Sequence, residues 1–512
     1  MTALPSRFPR GAAWRSLVGR LRPREGGPLR PHLVPLIVVA TAVVVSRLLL
    51  LLLGVSFNAG FVRTAWQSLD PMELRFNLLE SIFYQHSQPP LFNLWIGVML
   101  KVFPEGWETA LRISYALLGL AHGLALYALL WRVGLGRVAA TVLAVAASVA
   151  PSALLYENWL FYDYPVAVGL ILSALALLWY ADAPSSFWRG LTFFSLLAAV
   201  VLTRSLFHPI FMVVVIGLVA VLLRRHWRTT LLACAVPILV VGLALTKNVV
   251  LFGIPSLSSW TGMNLAKITI LQVPPKELRR LVRQGEVSSL SLVKPFQTAD
   301  AYAAHVPPRP PTGITVLDQR VTSTGNRNLN HRAIVDASNQ YTRDALAVIA
   351  DRPRLYLQNV RRAWAKFLEP STRYPSLVEN RAQIQPYDNL FNRVFHGLGR
   401  PVGGLSSGAT AVYALALLSG AFLAAPLVRR ERITPVIVVA CFMWFTVAYV
   451  CLVGNTTEFG ENQRFRGLVD SLAIVLVAWG ARQVLPAVRP ALERARGGRA
   501  ELVEREAHGR RE

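Results

Sequence analysis

Apolar residues in this chain fall in blocks rather than on stripes. The blocks 33–55, 166–181, 229–245 and 434–453 carry almost no charge on any face. A helix lying on a soluble core would show polar positions at every turn. Blocks of roughly 20 residues cross a hydrocarbon core of about 30 Å as helices. The pattern predicts about ten spans: 33–55, 109–130, 138–153 and 166–181, two short spans flanking Arg204 and His208, one ending near Lys247, then 409–428, 434–453 and 467–481. The piece 91–103 is apolar but short, and reads as an interfacial or re-entrant helix started by Pro90. The expected fold is an all-α polytopic membrane protein.

Charge adds direction to these spans. Charged residues are only 16% of the 512, hydrophobic ones are 54%, and the net charge is +25. Such basicity would suit a nucleic-acid partner if it were spread over a soluble surface. Here it sits beside apolar spans. Seven arginines run from Arg7 to Arg30, and further clusters fall at 131–137, 224–228 and Arg429, Arg430 and Arg432. That is the positive-inside pattern, so both termini are expected in the cytoplasm and no nucleic acid is expected as partner. The first apolar block is too long for a cleaved leader and reads as a retained span. Cys234, Cys441 and Cys451 lie in or beside apolar blocks and form no ligand pair.

The expected organisation is a basic tail (1–32), an N-terminal membrane module (33–251), an insert (252–405), C-terminal membrane helices (406–487) and a second basic tail (488–512). The insert has a Pro-rich stretch at 306–311 and an amphipathic run at 333–368, and its length of about 150 residues is that of a common domain. It is arginine-rich yet expected outside, because long loops escape the charge rule.

Four polar patches are expected at the outer ends of the spans. The first holds Asp70-Pro71, then His86-Ser87-Gln88 before Pro89-Pro90. Asp70 is either an acid with a chemical role or the N-cap of a helix beginning at Pro71. The second, 156–164, sets Glu157 and Asp163 among aromatic residues of the interfacial belt. Asp163 is again a candidate N-cap before Pro165. The third, Arg204 to His208, is squeezed between two spans, so Arg204 needs an anionic partner: Asp163, Glu157 or a bound phosphate. Arg47 in the first span poses the same question, answered by snorkelling or an internal pair. The fourth, 458–466, contains Glu458, Glu461, Asn462, Gln463, Arg464 and Arg466 directly before a span. Its outward arginines are not explained by topology, and recognition of an anionic headgroup or of sugar hydroxyls would explain them.

The order of these patches resembles the GT-C membrane glycosyltransferases, in the branch of the protein O-mannosyltransferases and lipid A aminoarabinose transferases (glycosyltransferase family 39). The similar stretches are Gln88-Pro89-Pro90-Leu91, Trp107 to Arg112, and Arg137 onward to Pro151, with a looser return at Glu461–Arg466. The resemblance implies an enzyme that moves a sugar from a polyprenyl-phosphate donor to a hydroxyl of a lipid, glycan or protein acceptor, with inversion, on the extracytoplasmic face. By position Asp70 would be the general base. Asp163 would position that base, the sugar or a metal. Arg204, Arg464 and Arg466 would hold the leaving phosphate. Glu461, Asn462, His86, Glu157 and Gln88 complete the expected binding set. The aminoarabinose branch has a Glu-Lys pair where this chain has Ser87-Gln88, so its phosphate-binding lysine and a metal-binding acid are missing, with His86 nearby as a partial substitute. A divalent metal ion therefore stays open as cofactor. Arginine and alanine usage suits a GC-rich bacterium, which would place the protein in the inner membrane. The competing readings are a transporter or flippase of a polyprenyl-linked lipid, and a structural partner in envelope assembly. The first would need charges facing each other mid-span, and the absence of an evident internal repeat gives it no support.

Overall fold

The computed structural model describes residues 30–396, 407–428 and 433–484. The two basic tails, apart from the junction at 30–32, and the cluster Arg429, Arg430 and Arg432 lie outside those residues. The chain is all-α and polytopic. It runs through α1 (Arg30–Leu52), a loop holding α2 (Pro71–Phe76) and α3 (Pro90–Val102), then α4 (Trp107–Arg132), α5 (Arg137–Val149), α6 (Pro151–Glu157), α7 (Asp163–Asp182), α8 (Phe187–Val201), α9 (Pro209–Leu222) and α10 (Trp227–Phe252). The insert contributes α11 (Thr261–Ile268), α12 (Ala333–Asp351), α13 (Pro353–Phe367) and α14 (Gln385–His396). The chain returns through α15 (Ser407–Leu418), α16 (Gly420–Val428), α17 (Pro435–Thr457) and α18 (Asn462–Val484).

Among the described residues six helices are long and apolar enough to cross a membrane, and the α5–α6 pair makes a seventh if its two halves form one span. The apolar helices at α8, α9 and 408–424 are shorter. Every expected span thus corresponds to an apolar helix, and α3 is the short helix expected at 91–103. Proline sets many of the starts: α2, α3, α6, α9, α13 and α17 each carry one in the first turn. There its missing N–H costs nothing and its fixed φ suits the helix.

Three expectations are corrected. The span 138–153 is not straight. It breaks at Ala150, whose backbone is extended (ψ 140°), and α6 leaves α5 at 52°. Pro151 cannot donate to the preceding turn, so the ladder ends there. The last span starts at Asn462 rather than 467, which carries Arg464 and Arg466 into its first turns and Asp470 beyond them. The amphipathic run 333–368 is two helices, divided at Arg352–Pro353.

The long helix α7 is central, packing against α4, α8 and α17 with two thirds of its apolar window buried. By contrast α1 is peripheral, with Leu33, Ile37, Leu48 and Leu52 exposed as suits a lipid-facing helix. The insert has its own core around Met263, Ile270, Tyr302 and Tyr341. There α11 lies so close to α12 that a Cβ at Gly262 would collide with the Ser338 carbonyl.

The ends of the helices bring all four polar patches to one end of the bundle. Asn58 bridges to Trp159, Ser205 bonds Gln88, Arg464 meets Asp163, and the insert closes over them through Ser259 on His86 and Lys267 on Glu458. The opposite end is pinned by Arg132 on Asp182 at 2.6 Å.

Candidate functional site

The centre of this polar end is Asp163. It is the first residue of α7 and its N-cap is Tyr162, so it is not itself the cap. A carboxylate in a first helical turn is favoured by the exposed N–H groups and the dipole. The Asp163 side chain is 2% exposed and ion-paired twice, Oδ1 to Arg204 Nη1 and Oδ2 to Arg464 Nε, the latter at 3.2 Å. The third patch therefore finds its anion in the second. Arg204 lies under Tyr162 and Phe465, its guanidinium carbon about 5 Å from both rings. Burial pushes Arg204 down to about 10, so it stays charged at neutral pH.

Arg464 has partners beyond Asp163. It also donates to the Tyr374 hydroxyl (2.9 Å), contacts Glu461 Oε2 (3.2 Å) and sits over the rings of Phe161 and Tyr374. Burial works against the charge on Glu461, but Arg464, Lys267, a bond from Tyr374 and Arg204 hold its pKa below the ordinary value. Arg466 faces the other way, toward the Leu368 carbonyl (3.3 Å) and Asp470 (3.4 Å).

Two cavities back onto this charged group. One, of about 400 Å³, is lined mostly by alanine and larger apolar residues of α5, α6, α14 and α18, with Asp163, Arg466 and Asp470 at its polar edge. The other, of about 530 Å³, has a mixed wall, more polar than that of the first, and lies under the insert; Arg204, Arg464, Gln88, Glu461, Lys267 and Trp66 are on it. Asp163 lines the first and its two arginine partners line the second, so the ion pairs form the partition.

The remaining expected residues are placed as follows. Asp70 is the N-cap of α2 and lines neither cavity. It accepts from Met72 N (2.9 Å), Gln319 Nε2 (3.0 Å), Ser323 N (2.6 Å) and the Ser323 hydroxyl, the last three from an insert hairpin. Glu157 is paired with Arg47 at 2.6 Å, accepts the Tyr164 hydroxyl and also lines neither cavity. Asn462 is fully buried and ties the α17–α18 turn through the carbonyls of Gly454 and Glu458. His86 is buried against Ser259 and Phe252, and its backbone N–H bonds Asn330. Burial, then the nearby Lys247, push His86 down to about 3, so it is neutral. His208 is the N-cap of α9. Sequence reasoning missed Lys267, Lys294 and Phe296, which reach the polar cavity from the insert, and Tyr374, which links Glu461 to Arg464. Only the insert's docking reveals them.

Among the described residues no group of three or more His, Cys, Asp or Glu could hold a metal ion. Asp163 is clamped between guanidiniums, an environment that disfavours an added cation. The donor set does not fit a divalent ion.

No family model matches the sequence, and no curated protein matches it. Among solved structures, apo ArnT from Cupriavidus metallidurans aligns over 86% of this chain and 76% of that chain, at 13% identity and a TM-score of 0.27.

Proposed function

We propose that this protein is a GT-C-type glycosyltransferase (EC 2.4 class) that moves a sugar from a polyprenyl phosphate to an acceptor hydroxyl at the extracytoplasmic end of the bundle. The observation that carries the reading is the charged partition: buried arginines and Asp163 standing between an apolar cavity and a more polar, mixed one. A donor with a long apolar tail and a phosphate head needs that sequence of environments. The tail takes the alanine-lined cavity. The phosphate takes Arg466 from one side and Arg464 and Arg204 from the other, as charge-assisted donors in a water-poor site. The acceptor takes the polar cavity.

In the reaction the acceptor oxygen attacks the anomeric carbon from the face opposite the phosphate. The new C–O bond forms, the bond to phosphate breaks, and the configuration inverts. The leaving phosphate keeps the electron pair, and Asp70 takes the acceptor proton. The Ser323 hydroxyl already bonds Asp70 as an acceptor hydroxyl would, and a swing of the Ser323 side chain alone gives that oxygen of Asp70 to the acceptor, leaving Arg327 of the same hairpin in place. Asp163 balances the arginines while no phosphate is bound.

The test is cell-free transfer in proteoliposomes with labelled polyprenyl-phosphate sugars. Asp70→Asn is expected to lower transfer by about 10²–10⁴. Unchanged transfer in that variant removes Asp70 as the base. Wild-type protein that carries the labelled lipid across the bilayer without transferring its sugar would instead support a flippase.

A further inference from the structure

We infer that the polar cavity is an acceptor subsite for a saccharide ring, with Trp66 and Phe296 as its platform. This rests on the glycosyl-transfer reading above. The two rings come from different parts of the chain, Trp66 from the loop after α1 and Phe296 from the insert, and both line the cavity. They are stacked with an interplanar angle of 17° and centroids 5.8 Å apart, and Trp260 packs edge-on against Phe296. Sugar rings present C–H faces that pack on aromatic surfaces, whose π clouds are electron-rich.

The backbone singles out Phe296. Among the described residues it is the only non-glycine with positive φ, at 63°. A bulky side chain in that region costs energy and persists only where the surroundings fix it, commonly at a binding site. The fixing contact is Arg327, which donates to the Phe296 carbonyl at 2.8 Å and lies over the Trp66 ring. Arg327 belongs to the same hairpin that holds Asp70 through Ser323. Platform and proposed base are thus tied to one segment.

Around the rings the wall supplies Gln67, Gln88, Ser205 and Asn264. Amides and hydroxyls both donate and accept, which matches sugar hydroxyls. A peptide acceptor held by strand addition would need a free sheet edge. The described residues hold only two isolated bridges, and no strand lines the cavity.

The experiment uses the full-length chain in nanodiscs on a panel of hexose and pentose oligosaccharides, with Ser/Thr peptides of matched length beside them. Binding of decaprenyl phosphate is followed separately by native mass spectrometry. Wild type is expected to bind saccharides, Trp66→Ala and Phe296→Gly to weaken that binding by about tenfold, and Trp66→Phe to keep most of it. Glycine accepts the φ of position 296, so Phe296→Gly removes the ring while leaving the turn, and its melting temperature verifies the fold. Binding of Ser/Thr peptides without saccharides overturns the inference, as does saccharide binding unaffected by both ring deletions. Decaprenyl phosphate bound without any saccharide sinks the platform alone. Loss of decaprenyl phosphate binding in the wild type sinks the transfer reading itself.

Discussion

Two arginine–carboxylate centres have carboxylates close together in sequence, Glu157 with Arg47 and Asp163 with Arg204 and Arg464. The first is closed. Arg47 gives Glu157 bonds of 3.0, 3.2 and 2.6 Å, and the Tyr164 hydroxyl adds a fourth. A Cβ at Gly119 would strike the carboxylate, so nothing more fits there. The second has cavities on both sides, and its Arg464 Nε contact at 3.2 Å lacks hydrogen-bond alignment. A buried pair with every group satisfied holds helices together. One facing a cavity can exchange its partner for a ligand's charge at little cost.

That contrast can be broken experimentally. Glu157→Ala leaves the largely buried Arg47 without its carboxylate, with only Ser46 and the Ser148 carbonyl as partners, and should cost about 3 kcal/mol of stability in thermal unfolding. If it instead leaves melting intact and abolishes lipid-phosphate binding, the two centres have been assigned the wrong way round. Replacing both Arg464 and Arg466 by Ala should weaken decaprenyl phosphate binding by about 1.5–3 kcal/mol for each charge-assisted bond lost. Intact binding in the double variant would remove the phosphate assignment.

A third test uses a group outside both centres. The folded-state pKa of His86 is depressed to about 3, against 6.5 when unfolded. Its neutral burial is fully compatible with folding above pH 6.5. As pH falls toward 3 the unfolded chain gains a proton that the native state refuses, so stability declines. By about pH 4.5 the loss should approach 2–3 kcal/mol, and His86→Gln should flatten that part of the melting profile. An identical pH dependence in the variant assigns the decline to other groups. The smallest effect is expected for Ser323→Ala. It deletes one bond to Asp70 and should loosen the hairpin by about 1 kcal/mol. Faster proteolysis between 319 and 327 is the readout, and unchanged cleavage would separate the hairpin from Asp70.

The membrane helices were legible because bilayer crossing demands long uncharged blocks, and the short loop around Arg204 already demanded an anion. The break at Pro151 was hidden because the apolar pattern continues through it. The pairing of Arg47 with Glu157 spans 110 positions, and no local pattern encodes it. Asp70-Pro71 correctly signalled a cap, while the insert residues that also bind it, Gln319 and Ser323, come from a stretch with no distinguishing composition. Phe296 was opaque for another reason: its backbone conformation is one its own chemistry disfavours, imposed by Arg327 and its neighbours.

The apolar cavity is made by omission. Ala146, Ala147, Ala150, Ala153, Ala167, Ala478 and Ala481 border it, and larger side chains at those places would occupy its space. Under the donor reading these alanines act as a ruler. Single Ala→Leu changes stepping away from Asp163 would shorten the tail accommodated while leaving the charged partition untouched. Tail-length selectivity could then drift by point mutation without disturbing the chemistry.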